Sequence, residues 1–182
     1  MFARTQRLLL KPGLAEDAPA LSRTIANEQG VRHLSSMPWP YDLADAEAYL
    51  AAPEDPVLPS LLIFARTEGA PRLVGACGLG RRASGRIELG YWFARPFWGL
   101  GYATEAGRGL IDIARTLRHG QLDASHFIDN PASGRVLEKL GFVATGLIAP
   151  RYSHGRSTET PARLMRLDLA AGAIVPTEAL AA

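Results

Sequence analysis

Residues 98 to 105 read Trp-Gly-Leu-Gly-Tyr-Ala-Thr-Glu, between a short strand-like run and an amphipathic helical pattern. Glycines at 99 and 101 allow a backbone turn that other residues resist, and they let successive N–H groups converge on one point. A helix opening at Tyr102 adds its unpaired amides and the positive end of its dipole. A loop of this kind binds an anion such as a pyrophosphate without needing a lysine. The fold must therefore carry a strand up to this turn and a helix away from it.

The rest of the chain is compatible with one α/β domain. At 182 residues, with 47% hydrophobic and 21% charged residues, it can bury one sizeable core and is short for two. A formal charge of +2, from 20 basic and 18 acidic residues, lacks the footprint of a nucleic-acid binder. The single cysteine, Cys77, excludes an internal disulfide and a cysteine-rich metal site, and its apolar surroundings make it a packing residue. His33, His119, His126 and His154 are too widely spaced for a metal motif. No signal-peptide core or membrane-length apolar run is present, so a cytoplasmic protein with no membrane partner is expected.

Periodicity supplies the elements. Gln6 to Lys11 reads as a first strand, and a helix follows from Glu16-Asp17 to about Asn27. After a loop containing Trp39 and Tyr41, a second helix covers Leu43 to Leu50. Leu61 to Thr67, Leu73 to Gly80 and Arg86 to Phe93 form an antiparallel meander. From Tyr102, apolar residues at 103, 106, 110, 113, 114 and 117 recur at three- and four-residue spacing, the mark of a helix with one buried face. A strand from Gln121 to Ile128 then implies a crossover and one parallel pairing. A helix from Ser133 to Leu140 stops at Gly141, and strands Phe142 to Ile148 and Arg163 to Leu169 flank a polar loop from Ala149 to Pro161. The expected architecture is a single domain over residues 1–171 with a loose tail at 172–182. Its sheet is mixed, mostly antiparallel and twisted, with six to seven strands flanked by helices.

The string Trp98 to Ala106, followed by Asn130-Pro131-Ala132-Ser133 and the Gly141-Phe142 pair, resembles the acetyl-coenzyme A site of the GNAT N-acetyltransferase superfamily. Within it, the Trp-Gly-x-Gly-Tyr-Ala-Thr-Glu-Ala string is similar to that of the RimJ/RimL ribosomal-protein acetyltransferases. A dinucleotide fingerprint is the competing reading of Gly99 and Gly101, but Thr104 stands where its third glycine belongs. The resemblance implies acetyl-coenzyme A as cofactor, held by Trp98, Gly99, Leu100, Gly101, Tyr102, Ala103 and Thr104 at the pyrophosphate. Main chain around Trp92 and Phe93, with Asn130 and Ser133, would hold the pantetheine arm. Family members often carry a tyrosine acid four residues before the Gly-Phe pair; Leu137 stands there, so no tyrosine acts from that position.

Glu88 is the candidate base. Period-two alternation puts Glu88, Gly90 and Trp92 on one face of their strand and Ile87, Leu89, Tyr91 and Phe93 on the other. A carboxylate there needs a partner, for which Arg86 and Arg163 are the sequence candidates. By resemblance, Ser133 would assist departure of the thiolate; read alone, Asn130 and Ser133 also fit a helix cap. Trp39, Tyr41, Tyr152 and His154 are candidate acceptor-pocket residues. The expected partner is a primary amine, on a protein N-terminus or a small molecule, with the protein either a monomer or a homodimer. The alternatives are a catalytically inactive coenzyme A-binding sensor and an interaction module.

Overall fold

Five consecutive apolar residues, Leu61 to Ala65, cannot alternate between core and water, so their strand must be covered on both faces. All five are buried. They lie near the centre of a sheet in a computed structural model that describes residues 1–25, 37–67 and 69–170. Among these residues the elements are β1 (Ala3–Arg4), β2 (Leu8–Lys11), α1 (Ala18–Ile25), α2 (Leu43–Ala51), β3 (Ser60–Ala65), β4 (Arg72–Arg81) and β5 (Ile87–Phe93). They continue with α3 (Tyr102–Thr116), β6 (Gln121–Phe127), α4 (Pro131–Lys139), β7 (Val143–Ser153) and β8 (Thr158–Asp168). The sheet order is β1-β2-β3-β4-β5-β6-β8-β7. Only β5 and β6 pair in parallel, as the α3 crossover requires; the other neighbours are antiparallel.

The two faces of the sheet carry separate cores. Leu61, Ile63, Val74, Leu89 and Phe93 pack with α3 and α4 through Ala106, Leu110, Ile113, Leu137 and Leu140. Leu62, Phe64, Leu73 and Ala76 pack on the opposite face with Leu21 and Ile25 of α1 and Ala46 of α2. The alternation expected in β5 holds: Leu89 and Phe93 belong to the first core and Trp92 borders the second. Cys77 is buried within the first core.

Two expectations change. The chain's start adds the two-residue edge strand β1, and the sheet reaches eight strands, beyond the six or seven expected. The segment from Ala149 to Pro161, expected as a polar loop, is mostly strand: β7 and β8 run on to Ser153 and Thr158, joined by one 3-10 turn at His154–Arg156. Prolines 150 and 161 face each other in that register, and most of β7 is solvent-exposed. Polar composition there reflects an edge strand rather than a loop. The expected end of the first helix at Asn27, His33 and the tail at 172–182 lie outside the described residues.

The N-terminus of α3 is fixed by Glu105 in its first turn. Its Oε1 accepts from Thr5 Oγ1 at 2.5 Å and from the Arg7 amide at 2.7 Å, and its Oε2 accepts from Arg7 Nε at 2.7 Å. Burial alone would raise the Glu105 pKa. The bonds from Thr5 and Arg7 outweigh it and hold the pKa below its ordinary 4.5. A depressed carboxylate pKa stabilises the fold fully above the unfolded value and loses that contribution as pH falls through the folded one. Glu105→Gln is therefore expected to cost about 1–3 kcal/mol at pH 7 and progressively less below about pH 4. Urea unfolding of both proteins at pH 7 and pH 3 checks this; an equal cost at both would remove the carboxylate's charge from the account.

Candidate active site

β5 and β6 share a single register pair, Glu88 with Asp123, and then part. β5 is held by β4 over seven pairs and β6 by β8 over seven, so each strand follows its antiparallel partner away from the other. The parting opens a cleft of about 370 Å³. Its walls come from both cores: Tyr91, Ser133 and Leu137 on the α4 side, Met37, Tyr49, Glu88 and Trp92 on the α1–α2 side. The cleft is a passage through the sheet.

Backbone geometry supplies a lining of peptide groups. In a strand, the N–H and C=O of one residue point to the same neighbour. The Ala94 amide bonds Val74 on β4, so Trp92 and Gly90 also turn their peptides that way. Tyr91 and Phe93 then present theirs on the β6 side, Tyr91 lining the cleft. Phe93 O already accepts from Trp98 Nε1 at 2.6 Å. Of the main-chain groups expected to act at Trp92 and Phe93, those of Phe93 face β6 together with those of Tyr91, those of Trp92 face β4, and the Trp92 side chain borders the cleft.

The glycine loop follows. Gly99 and Gly101 have φ of +77° and +79°, a conformation that residues with a Cβ rarely adopt. Gly101 is the N-cap of α3 and brings no side chain to satisfy the first amides of the helix, which fall at Tyr102, Ala103 and Thr104. Arg7 Nη1 bonds the Leu100 carbonyl at 2.9 Å and so keeps this oxygen turned away from the amides. The Tyr102 side chain is buried, with its hydroxyl 3.3 Å from Thr67 Oγ1 and the Arg7 guanidinium over its ring. Only its amide is offered to a ligand. This cradle of amides fits a pyrophosphate, and the cleft between β5 and β6 fits the arm of coenzyme A.

On the α4 wall, Asn130 caps the helix, its Oδ1 accepting from the Ser133 amide at 3.2 Å. Ser133 Oγ lies 2.9 Å from the Tyr91 hydroxyl, which also donates to the Ser133 carbonyl at 3.3 Å. Burial pushes the Tyr91 phenol up to about 12, so it keeps its proton. Gly134 lets α4 approach β6, since a Cβ there would stand 2.8 Å from His126 Nε2. The sequence pattern marked Asn130 and Ser133 but not Tyr91. A hydroxyl on the apolar face of β5, pointing where α4 must pack, was the available signal.

On the other wall, Glu88 is nearly buried. Oε1 accepts from Ser125 Oγ at 2.7 Å, and Oε2 is ion-paired with Arg82 and lies 4.0 Å from Arg151 Nη2. The partners expected from sequence, Arg86 and Arg163, are not used: Arg86 bonds Asp123, and Arg82 is brought alongside by the β4–β5 turn. Gly90 leaves open space beside Glu88, with no atom within 4 Å of where its Cβ would stand. The candidate acceptor residues fall elsewhere. Tyr41 is buried in the second core, Trp39 is 39% exposed, and Tyr152 packs edge-on against His154 at 5.1 Å. None of the four lines this cleft, whose described wall on that side is formed by Met37, Tyr49 and Ser60.

Comparison with known proteins agrees with this geometry. The family model of the acetyltransferase (GNAT) domain matches residues 7–143. The uncharacterized N-acetyltransferase p20 of Bacillus licheniformis is 28% identical over 152 residues, 79% of this chain and 83% of its own. A GNAT-family acetyltransferase structure from Bacillus anthracis superposes with a TM-score of 0.79 at 18% identity, covering 93% of this chain and 99% of that one. The microcin C7 self-immunity acetyltransferase MccE, in complex with acetyl-CoA and AMP, gives 0.74 at 16% identity over 90% and 93%. These two structures establish likeness of fold. With the domain match spanning three quarters of its length, this chain belongs to the GNAT family and is an N-acetyltransferase.

Proposed function

We propose that the chain moves an acetyl group from acetyl-coenzyme A to a primary amine by direct attack on the thioester, in a manner similar to the RimJ/RimL branch. The observation that carries this reading is the passage through the sheet, with Glu88 on one wall and Ser133 and Tyr91 on the other; the uncapped amides of α3 follow β5 in the chain. Bound acetyl-coenzyme A supplies an activated carbonyl and a thiolate leaving group. The residues have separable tasks around it.

The amides of Tyr102, Ala103 and Thr104 hold the pyrophosphate, and the Tyr91 and Phe93 peptides hold the arm. Asn130 fixes the turn that places Ser133. Glu88 receives the amine on the opposite wall and takes its proton. Because Ser125 and Arg82 occupy its two oxygens, transfer through a water fits better than direct contact. Ser133 donates a hydrogen bond to the departing sulfur. Tyr91 is a positioning residue: its hydroxyl, 2.9 Å from Ser133 Oγ, holds the serine at the cleft wall. Overall one N–C bond forms, one C–S bond breaks, and the amine's proton is lost as the sulfur gains one.

Three outcomes test the assignment. Glu88→Gln is expected to lower kcat on the order of 100-fold with acetyl-coenzyme A affinity within a few-fold. Ser133→Ala and Tyr91→Phe should each lower kcat roughly tenfold, and the double variant should add little, because they act as one unit. Additive losses, or losses in KM alone, would reject the Tyr91 role. Gly101→Val forces a branched side chain into a φ of +79° and should raise the acetyl-coenzyme A Kd at least about tenfold by calorimetry. Tight cofactor binding without turnover on any amine would instead mark an inactive coenzyme A sensor.

A further inference from the structure

The Glu88 wall carries more positive charge than it neutralises. Arg81, Arg82 and Arg151 line the cleft there, against one carboxylate, Glu88, among the described residues. The hollow that continues from it shares Arg82, Glu88 and Arg151 and adds Asp123 with Arg86 and Arg166. Asp123 is bonded by both of its arginines, at 3.3 and 3.0 Å, so it offsets nothing in the cleft. Glu88 makes its close ion pair with Arg82, which leaves Arg151 at 4.0 Å without a carboxylate of its own. Burial, and next the charge of Arg151, lower the Arg82 pKa.

Two donors in this wall also lack acceptors. Arg151 Nε and Trp92 Nε1 are both buried without a hydrogen-bond partner, and both residues line the cleft. Buried donors of this kind are costly to leave unpaired, and an excess buried charge more so. An anion in the cleft would offset the surplus charge at Arg151.

On the basis of the acetyl-transfer reading above, we propose that the acceptor is a small amine carrying its own acid group, a carboxylate or a phosphate, a few bonds from the nitrogen. Glu88 takes the amine end and the Arg151 guanidinium takes the acid end. The 4.0 Å between Glu88 Oε2 and Arg151 Nη2 places a negative and a positive group side by side, the complement of a compact zwitterion. A polyamine would set further cations against Arg82 and Arg151. A peptide N-terminus lacks the nearby acid.

Thiol release from acetyl-coenzyme A, followed with paired acceptors on the unmodified protein, tests this. Alanine is compared with ethylamine, and 2-aminoethyl phosphate with ethanolamine; each pair differs only by its acid. Spermidine and a short peptide with a free N-terminus complete the set. At least one acidic member should exceed its partner at least about tenfold in kcat/KM, and the pair that does so identifies the acid. Arg151→Ala should then erase the preference by raising KM, with Arg151→Lys restoring part of it. Equal or better turnover of ethylamine, ethanolamine, spermidine or the peptide would overturn the proposal and leave acetyl transfer standing. No turnover with any amine would overturn both.

Discussion

The parting of β5 from β6 is the constraint on which the site depends. Parallel neighbours ordinarily stay about 4.8 Å apart along their length, yet these two meet at Glu88 and Asp123 alone. Because β4 and β8 each secure one of the diverging strands by full antiparallel ladders, the opening is built into the sheet and does not need a ligand to pry it apart. It leaves the peptide groups of Tyr91 and Phe93 without a strand partner, a burden a closed sheet would not tolerate. It also joins two cores that the sheet otherwise separates, so a reaction centre can draw one group from each.

The amide cradle depends on a second, distant contact. A helix that starts on two left-handed glycines has no side-chain cap to define its first turn. Here that turn is defined from outside: Thr5 and Arg7, in the turn between β1 and β2, grip Glu105, while Arg7 also holds the Leu100 carbonyl. One arginine thus sets both the helix's position and the loop's orientation. The amide cradle is preorganised by residues almost a hundred positions away in sequence, and the Tyr102 ring lies under the Arg7 guanidinium.

What the sequence made legible follows from the range of the interactions involved. Helices α2, α3 and α4 announce themselves by local periodicity and by stops such as Gly141, whose φ is +91°. The glycine loop is legible because its function rests on backbone conformation, and glycine is the residue that reports it. Glu88 and Ser133 stand out as polar groups within patterned segments. Their partners do not: Arg82 comes from a turn, Ser125 from β6 and Arg151 from a strand that reads as loop. β7 defeats periodicity because its residues are largely exposed on an edge, and its length is set by pairing with β8.

On the proposed reading, the same division separates how the two substrates are recognised. A cofactor held by peptide groups and helix amides is gripped in the same way whatever the side chains nearby, so that half of the site can stay constant while the other half changes. The acceptor half is built from side chains on separate elements: Arg82 beyond β4, Trp92 on β5 and Arg151 on β7. Selectivity there comes from electrostatics more than from shape. A missing methylene in an apolar pocket discriminates only by about 10–200-fold, whereas a group that leaves buried donors unpaired is rejected by as much as about 10⁴–10⁵-fold. On the acceptor reading proposed above, the surplus guanidinium of Arg151 gives this cleft the second kind of discrimination, and Gly90 leaves room beside Glu88.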